Sequence, residues 1–502
     1  MEALKVIDPS LLGLPPEQVA ALWPYFWLLG ATLVAMLVGT TRLIPTKWSV
    51  FAISITGLVL AIAAAGRQIG MERMELFGGM MIADGYAAFF NVLFLASAGL
   101  SIFASLQYLD KEKLQYPEYY VLVLFATMGM MLMGSALDFI SIFIALEIMS
   151  LSVYALVGFR RNDRRSNEAA MKYFILGSAA SAILLYGTAL LYGATGSTTI
   201  TEIYTKISAS PNLMTPTFHL GAWMVLAGFL FKVAAVPFHM WMPDVYEGAP
   251  TPITGFMTTG VKAASFAAFV RVFLALGYGK DLEAALEGRL HDVFWVLAVL
   301  TMLIGNLIAL TQTNLKRMLA YSSIAHTGYL LVGMIAGPHS EAGFAPVVMY
   351  LASYTIMNLG AFAVLSILSG RGDTNLNLQD LAGISRRHPW LAFAMAVFLF
   401  SMAGIPPTAG FAAKYYLLYS AVQSGEVLLV VLAVLCSAIA VYYYLRVLVF
   451  MYMREPSGDT APAAVTPALG AFAVAMMVAM TLQIGVLPSK MLAVTKKVVA
   501  KL

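Results

Sequence analysis

FLFKVAAVPFHMW, residues 229–241, and FLFSMAGIPPTAGF, residues 398–411, are the two stretches on which the fold turns. Each is apolar enough for a bilayer interior, and each is interrupted by proline, at Pro237 in the first and at Pro406-Pro407 in the second. Proline inside a helix removes a backbone hydrogen bond and collides with the preceding turn. Both stretches therefore predict membrane helices broken part-way through. Residues 229–237 align with residues 398–406 at an offset of 169. A second match sets ALEIMSLSVYALVG, residues 145–158, against AYSSIAHTGYLLVG, residues 320–333, at an offset of 175, and pairs Tyr154 with Tyr329. Two matches at nearly one offset indicate a duplicated unit. If each unit holds five spans, the odd number inverts the second copy relative to the first, the logic of an inverted-repeat transporter. Broken helix ends expose unpaired backbone groups at membrane depth, where only protein or a water-filled cavity can satisfy them. Each unit is expected to hold one polar cavity.

The composition agrees. Of 502 residues, 60% are apolar and 11% charged, with a mean hydropathy of +0.82, against about 45–50% and about 25% in ordinary soluble domains. Too little polar sequence remains to cover a water-soluble body of this size. The runs are helix-length, about 20 residues for a hydrocarbon core of about 30 Å, so the expected class is an all-α polytopic membrane protein with fourteen spans. Residues 1–118 hold spans one to three. Residues 119–277 form the first inverted repeat, broken at Pro237, and residues 291–452 the second, broken at Pro406-Pro407. Residues 464–502 hold the last span and a basic tail. The first residues lack the basic start and short apolar core of a cleavable leader. The single cysteine, Cys436, rules out an intrachain disulfide and a cysteine-ligated iron–sulfur cluster. No dinucleotide fingerprint, Walker loop, zinc-protease motif or serine elbow is present. The net charge of +4 lies mostly between apolar runs and points to no nucleic acid.

Basic residues orient such a chain, because they accumulate on the cytoplasmic side. One set of connections carries fifteen Lys and Arg and the other ten, of which Lys490, Lys496, Lys497 and Lys501 are in the C-terminal tail. The loops place both termini on the non-cytoplasmic side; the tail opposes this. Five basic residues remain inside spans: Lys172, Lys232, Lys262, Arg271 and Lys414. A central Lys or Asp costs about 2.5–3.5 kcal/mol on insertion scales, so it is paired, hydrated or functional. Arg271 is close enough to its span end to snorkel. Asp84 and Asp138, at span edges, read as caps or interfacial residues. Lys172 follows Glu168 by one turn, near an interface. Glu147, Lys232, one turn before Pro237, Lys262 and Lys414, two turns beyond the second break, are central. Burial disfavours the charged forms of both Lys and Glu, while pairing favours both. A lysine that gains and loses a carboxylate partner can hand on a proton with no metal or cofactor. The blander possibility is a static Glu147–Lys232 pair that fixes packing. His239 and His326 are candidates for an intervening relay, although a lone buried His is ordinarily a packing residue.

Five segments together carry a family resemblance: LEIMSLSVYALVGFRR around Glu147, NEAAMKYFILGSAASAILLYG around Lys172, FKVAAVPFHMWMPDVYEGAPTPITGF from Phe231, NLKRMLAYSSIAHTGYLLVG from Asn314, and GIPPTAGFAAKYYL. The chain resembles the antiporter-like proton-pumping subunits of respiratory complex I, and among them the NADH-quinone oxidoreductase subunit N family, from about Asp84 to Val486. Leu146 before the carboxylate, where sister subunits carry Trp, and Lys414, where one sister carries Glu, favour N. The resemblance implies a carboxylate–lysine pair, Glu147 and Lys232, in a first half-channel, Lys262 bridging the halves, and Lys414 in a second half-channel that releases protons opposite the cytoplasm. Lys172 matches a further family lysine of less defined part. It also implies no cofactor in this chain, with FMN, iron–sulfur clusters and quinone in other subunits. Implied partners are a neighbouring antiporter-like subunit, a small three-helix subunit and the lateral helix of the largest sister, in a bacterial inner membrane. A multi-component cation/proton antiporter, or a ferredoxin- or deazaflavin-linked dehydrogenase or hydrogenase, is the alternative.

Overall fold

The computed structural model describes residues 15–41, 46–278, 284–455 and 468–500. The leader reading, Arg42 and Lys501 lie outside the described residues. Three helices open the fold, α1 (Pro16–Thr40), α2 (Thr46–Arg67) and α3 (Gly85–Glu112). Between α2 and α3, β1 (Met74–Leu76) and β2 (Met81–Ala83) form an antiparallel hairpin that pairs Met74 with Ala83. Hydropathy alone starts the third span near residue 80, over β2, because a short run such as Met81-Ile82-Ala83 cannot be told from a helix start. The helix starts where Asp84 caps it, accepting from the Ala87 N–H at 2.7 Å.

The next group comprises α4 (Pro117–Ser135), α5 (Phe139–Val157), α6 (Arg164–Thr195), α7 (Ile200–Ala209) and α8 (Pro216–Val233). After it come α9 (Met242–Gly248), α10 (Thr251–Phe256) and α11 (Lys262–Ala275), the last two joined into one span by a π-helical turn, Met257–Val261. The third group is α12 (Ala284–Thr311), α13 (Leu315–Ala336), α14 (Ala345–Leu368), α15 (Ile384–Arg387), α16 (Pro389–Ala403), α17 (Ala409–Gln423) and α18 (Val427–Met453). Two helices close the chain, α19 (Ala468–Val486) and α20 (Pro488–Val499). Starts are marked by Asp138, Asp163, Thr215 and Asn314, whose side chains accept first-turn N–H groups, and by prolines at first-turn positions.

Among the described residues, thirteen helices are long and apolar enough to cross a membrane. The span expected to be broken at Pro406-Pro407 is the pair α16 and α17, each too short alone. Burial sorts the bundle into layers: α14, α13 and the α10–α11 span are enclosed on nearly all sides, whereas α1, α2, α18 and α19 present most of their surface outward. The outward surface is apolar, with Leu37, Leu428 and Leu435 exposed, as lipid contact requires. Glycine permits the closest approaches. A Cβ on Gly129 of α4 would stand 2.5 Å from the Met149 N of α5, and one on Gly305 of α12 would stand 2.7 Å from the Ala325 N of α13. We predict that Gly305→Val pushes α12 off α13 and destabilises the fold by about 1–3 kcal/mol. A lowered melting temperature of the solubilised protein is expected; an unchanged one contradicts this packing.

Arg446, which the sequence count sets among the fifteen Lys and Arg of one set of connections, lies within α18 and donates to the carbonyls of Leu310, at 2.8 Å, and of Gln312. The basic tail includes an amphipathic helix, α20, which buries Thr495 and Val498 against α14 and α3 while Lys490, Lys496 and Lys497 face outward. Such a helix lies along an interface, where lysines need not report loop orientation.

Candidate functional site

Both helix breaks have the same backbone cause. Helix α8 ends with Ala234 in the left-handed region, φ +56, and Ala235 N–H returns to the Leu230 carbonyl at 3.0 Å. Helix α16 ends with Gly404 at φ +84, and Ile405 N–H returns to the Phe400 carbonyl at 3.0 Å. Such endings satisfy last-turn carbonyls and turn the chain aside. They superpose Ala234 on Gly404 and Ala235 on Ile405, an offset of 170, so the sequence match at 169 is corrected by one residue. Hydropathy aligned the apolar letters, whereas the left-handed residue defines where each helix stops.

What the freed carbonyls bind differs between the breaks. In the first, Phe231 O accepts the Trp241 indole N–H at 3.2 Å and Val233 O accepts the Thr327 hydroxyl at 2.7 Å. In the second, Met402 O and Ala403 O accept the Lys414 ammonium at 2.9 and 3.4 Å, and Ser437 Oγ takes a third bond at 3.0 Å. The negative end of a half-helix dipole thus holds a buried cation. Lys414 Nζ also stands 5.0 Å from the Tyr329 ring centroid, as Lys232 Nζ stands 5.7 Å from that of Tyr154. The two tyrosines paired by the internal sequence match each face the lysine of a break.

Glu147, Ser150 and Tyr154 follow one another at intervals of three and four along α5, hence on one face. Lys232 donates to Ser150 Oγ at 2.8 Å and to Tyr154 OH at 3.4 Å. Among the described residues no ion pair joins Glu147 to Lys232; Glu147 Oε1 is buried with no hydrogen-bond partner. The expected pair is therefore a neighbouring arrangement, with the carboxylate one turn from the hydroxyl that holds the ammonium. Lys262 donates to Ser323 O at 2.5 Å and Ser323 Oγ at 2.6 Å. Ser323 Oγ in turn bonds Tyr354 OH at 2.6 Å. Thr327 Oγ1, bonded to Val233 O beside Lys232, also reaches Ser323 O at 3.4 Å, so backbone and hydroxyl groups connect the first break with the Lys262 acceptor.

His326, one turn along α13 from Ser323, is buried, with Nδ1 2.6 Å from Tyr350 OH and Nε2 3.3 Å from Tyr444 OH. Tyr444 OH bonds Ser322 Oγ, and Tyr443 OH donates to Asn306 Oδ1 at 3.0 Å. His239 differs: it is half-buried in the turn after Pro237, and its Nδ1 has no partner. Lys172 also stands apart, half exposed, bonded to Glu168 at 2.8 Å and Asp244 at 3.0 Å. Arg317 continues that surface network to Asp244 and Glu247. The structure thus brings Lys232, Lys262, His326 and Lys414 into a buried hydroxyl-lined array with Glu147 at its edge, and leaves Lys172 and His239 outside it. The ligands Ser150, Ser323, Tyr350, Tyr354, Tyr444 and Ser437 are not marked in the sequence; the spacing of Ser323 and His326, one turn apart on α13, is the signal that could have found Ser323.

Arg271 does not snorkel. Its guanidinium is buried against Asp84, with two bonds of 2.8 and 2.9 Å, and its Nε donates to Gly134 O at 3.1 Å. Asp84 therefore does more than cap α3. Asp138 caps α5 through Ile140 N–H at 2.8 Å. Among the described residues, no cluster of three or more His, Cys, Asp or Glu side chains is placed to hold a metal.

The array can be set beside known proteins. Residues 136–440 match the family described as NADH:quinone oxidoreductase/Mrp antiporter, TM. The NADH-quinone oxidoreductase subunit N of Trichlorobacter lovleyi is 48% identical over 405 residues, covering 80% of this chain and 81% of that one. A chain of respiratory complex I from Thermus thermophilus with bound aureothin matches with a TM-score of 0.78 and 34% identity, over 94% of this chain and 98% of that chain. A chain of the Mrp complex from Dietzia sp. DQ12-45-1b matches with a TM-score of 0.82 at 21% identity, over 97% and 98%; that likeness is one of fold.

Proposed function

Because the chain belongs to the subunit N family of NADH-quinone oxidoreductases, we propose that it is a proton-translocating membrane subunit of such a complex, carrying protons along Glu147, Lys232, Lys262 and Lys414. The oxidoreductase activity belongs to the assembled complex; FMN, iron–sulfur clusters and quinone are assigned to other subunits. The observation that carries the reading is the set of ligands around the lysines. Among the described residues, none of Lys232, Lys262 and Lys414 is ion-paired to a carboxylate, and each ammonium is held by hydroxyl or carbonyl oxygens. A lysine so held can lose its proton without breaking an ion pair. Hydroxyls accept one proton while donating their own, so Ser323 and Tyr354 can pass charge between Lys262 and the His326 region. Glu147, with one oxygen unpartnered, is the group whose charge can favour or disfavour the ammonium at Lys232.

The protein works in a multi-subunit membrane assembly. Its neighbours in this reading are another antiporter-like subunit, a small three-helix subunit and the lateral helix of the largest sister, in a bacterial inner membrane with both termini outside the cytoplasm. Protons then enter the first unit, residues 119–277, from the cytoplasm and leave through the second, residues 291–452. Lys172 is assigned to the surface network near the cytoplasmic end of the first unit, where it can supply protons to the array. The test is purification of the intact assembly: co-purification with flavin and iron–sulfur proteins is expected, and isolation as a redox-free cation/proton antiporter would overturn the reading. We further predict that Lys414→Ala impairs quinone-linked proton pumping several-fold while assembly persists; unchanged pumping removes Lys414 from the path.

A further inference from the structure

Away from the lysine array, one carboxylate is buried where elements of both halves meet. Asp373 lies in the loop after α14, with its side chain 6% exposed. Its Oδ2 stands 3.2 Å from Lys316 Nζ and 3.4 Å from Arg160 Nη1. Its Oδ1 accepts the Thr251 hydroxyl at 2.7 Å. The two cations also reach the end of α9: Arg160 Nη2 donates to Gly248 O at 3.3 Å, and Lys316 Nζ donates to Ala249 O at 2.5 Å. The loop is shaped to deliver this carboxylate. Gly372 and Asp373 both have left-handed backbones, at φ +74 and +55, a region Asp tolerates better than most side chains. Gly372 N–H is anchored on Glu112 Oε1 at 2.7 Å, and Gly370 N–H on Thr374 O at 2.8 Å. Burial alone would raise the Asp373 pKa, but the Lys316 and Arg160 charges overcome it and hold the carboxyl below its ordinary value.

The geometry ties two particular helices together. Lys316 and Ser323 are both on α13, two turns apart and on one face. Ala249 and Thr251 lead directly into the α10–α11 span, which carries Lys262. At its start, this span is bound to α13 and its clamp by Lys316–Ala249 and Asp373–Thr251, and deeper in the membrane by Lys262–Ser323. We propose that Asp373 is a positioning residue: with Arg160 and Lys316 it sets the register of the α10–α11 span against α13, and thereby the contact between Lys262 and Ser323 that joins the two halves. This inference rests on the reading of Lys262 as a proton carrier.

Asp373→Asn keeps the side-chain shape, the left-handed backbone and the acceptor for Thr251 while removing the charge. In the assembled complex reconstituted in vesicles, it is expected to lower protons pumped per quinone reduced about threefold at normal complex content. The double variant Asp373→Asn/Lys316→Met removes the unpaired cation, and with it the bond to Ala249 O. If Asp373 only balances charge, the double variant restores pumping, which would overturn the proposal; if it sets register, pumping stays low although complex content is normal. Should Asp373→Asn alone fail to assemble, the double variant decides. Lys262→Ala in parallel vesicles separates the two claims. Wild-type pumping by Lys262→Ala removes the underlying reading, whereas loss there with wild-type pumping by Asp373→Asn removes the clamp alone.

Discussion

Lys232→Ala is expected to lower quinone-linked proton pumping about tenfold or more in the assembled complex, the scale on which removal of a proton-transfer group is felt. The expectation comes from the site's chemistry. Lys232 is buried at the end of α8 with Ser150 and Tyr154 as its hydrogen-bond partners, and alanine supplies no group that can take up or release a proton there. Lys232→Arg sharpens the test. Arginine retains the positive charge, but its guanidinium does not give up a proton in proteins. If Lys232 served only as a fixed charge for packing, Arg would preserve pumping. If it exchanges a proton, Arg should fail nearly as badly as Ala. Proton uptake by vesicles during quinone reduction, normalised to complex content, is the measurement; near-wild-type pumping by the arginine variant would show that Lys232 does not exchange protons.

The largest effect on stability is expected at Arg271. Its bonds to Asp84 join α11 to the start of α3, and both side chains are almost wholly enclosed. Arg271→Ala leaves the Asp84 carboxylate buried without its cation, a loss of about 3–5 kcal/mol for pairs of this kind. Because the pair also costs desolvation, Arg271→Met combined with Asp84→Asn should recover a large part of that loss. Thermal unfolding of the solubilised complex distinguishes the cases. A strong drop for the single variant and a smaller one for the double are expected; an unchanged melting temperature for Arg271→Ala would mean that the pair contributes little.

Why one charged residue was legible and another was not follows from where its partner lies. Lys232 and Lys414 stand out because each is near a proline break in its own run, and the structure places Lys232 at the end of α8 and the Lys414 ammonium against the end of α16. Arg271 has its partner 187 positions away, so spacing within its span suggested snorkelling instead of pairing. The Ser150 hydroxyl that holds Lys232 one turn from Glu147 is not legible in the sequence, since serine in an apolar helix is too common to mark a ligand. The repeat was visible in its apolar letters but one residue out of register at the breaks, because Ala234 and Gly404, not the prolines alone, decide where the helices end. Helix α20 was hidden for a different reason: a basic tail shows its charge more plainly than the apolar face formed by Thr495 and Val498.

The central claim is that protons cross from one half of this chain to the other through Lys262. The most direct measurement is proton pumping by vesicles containing the complex with Lys262→Ala, driven by quinone reduction and compared with wild type at equal complex content. Pumping reduced to a small fraction of wild type, with the complex assembled, is the predicted result; pumping at the wild-type rate would contradict it.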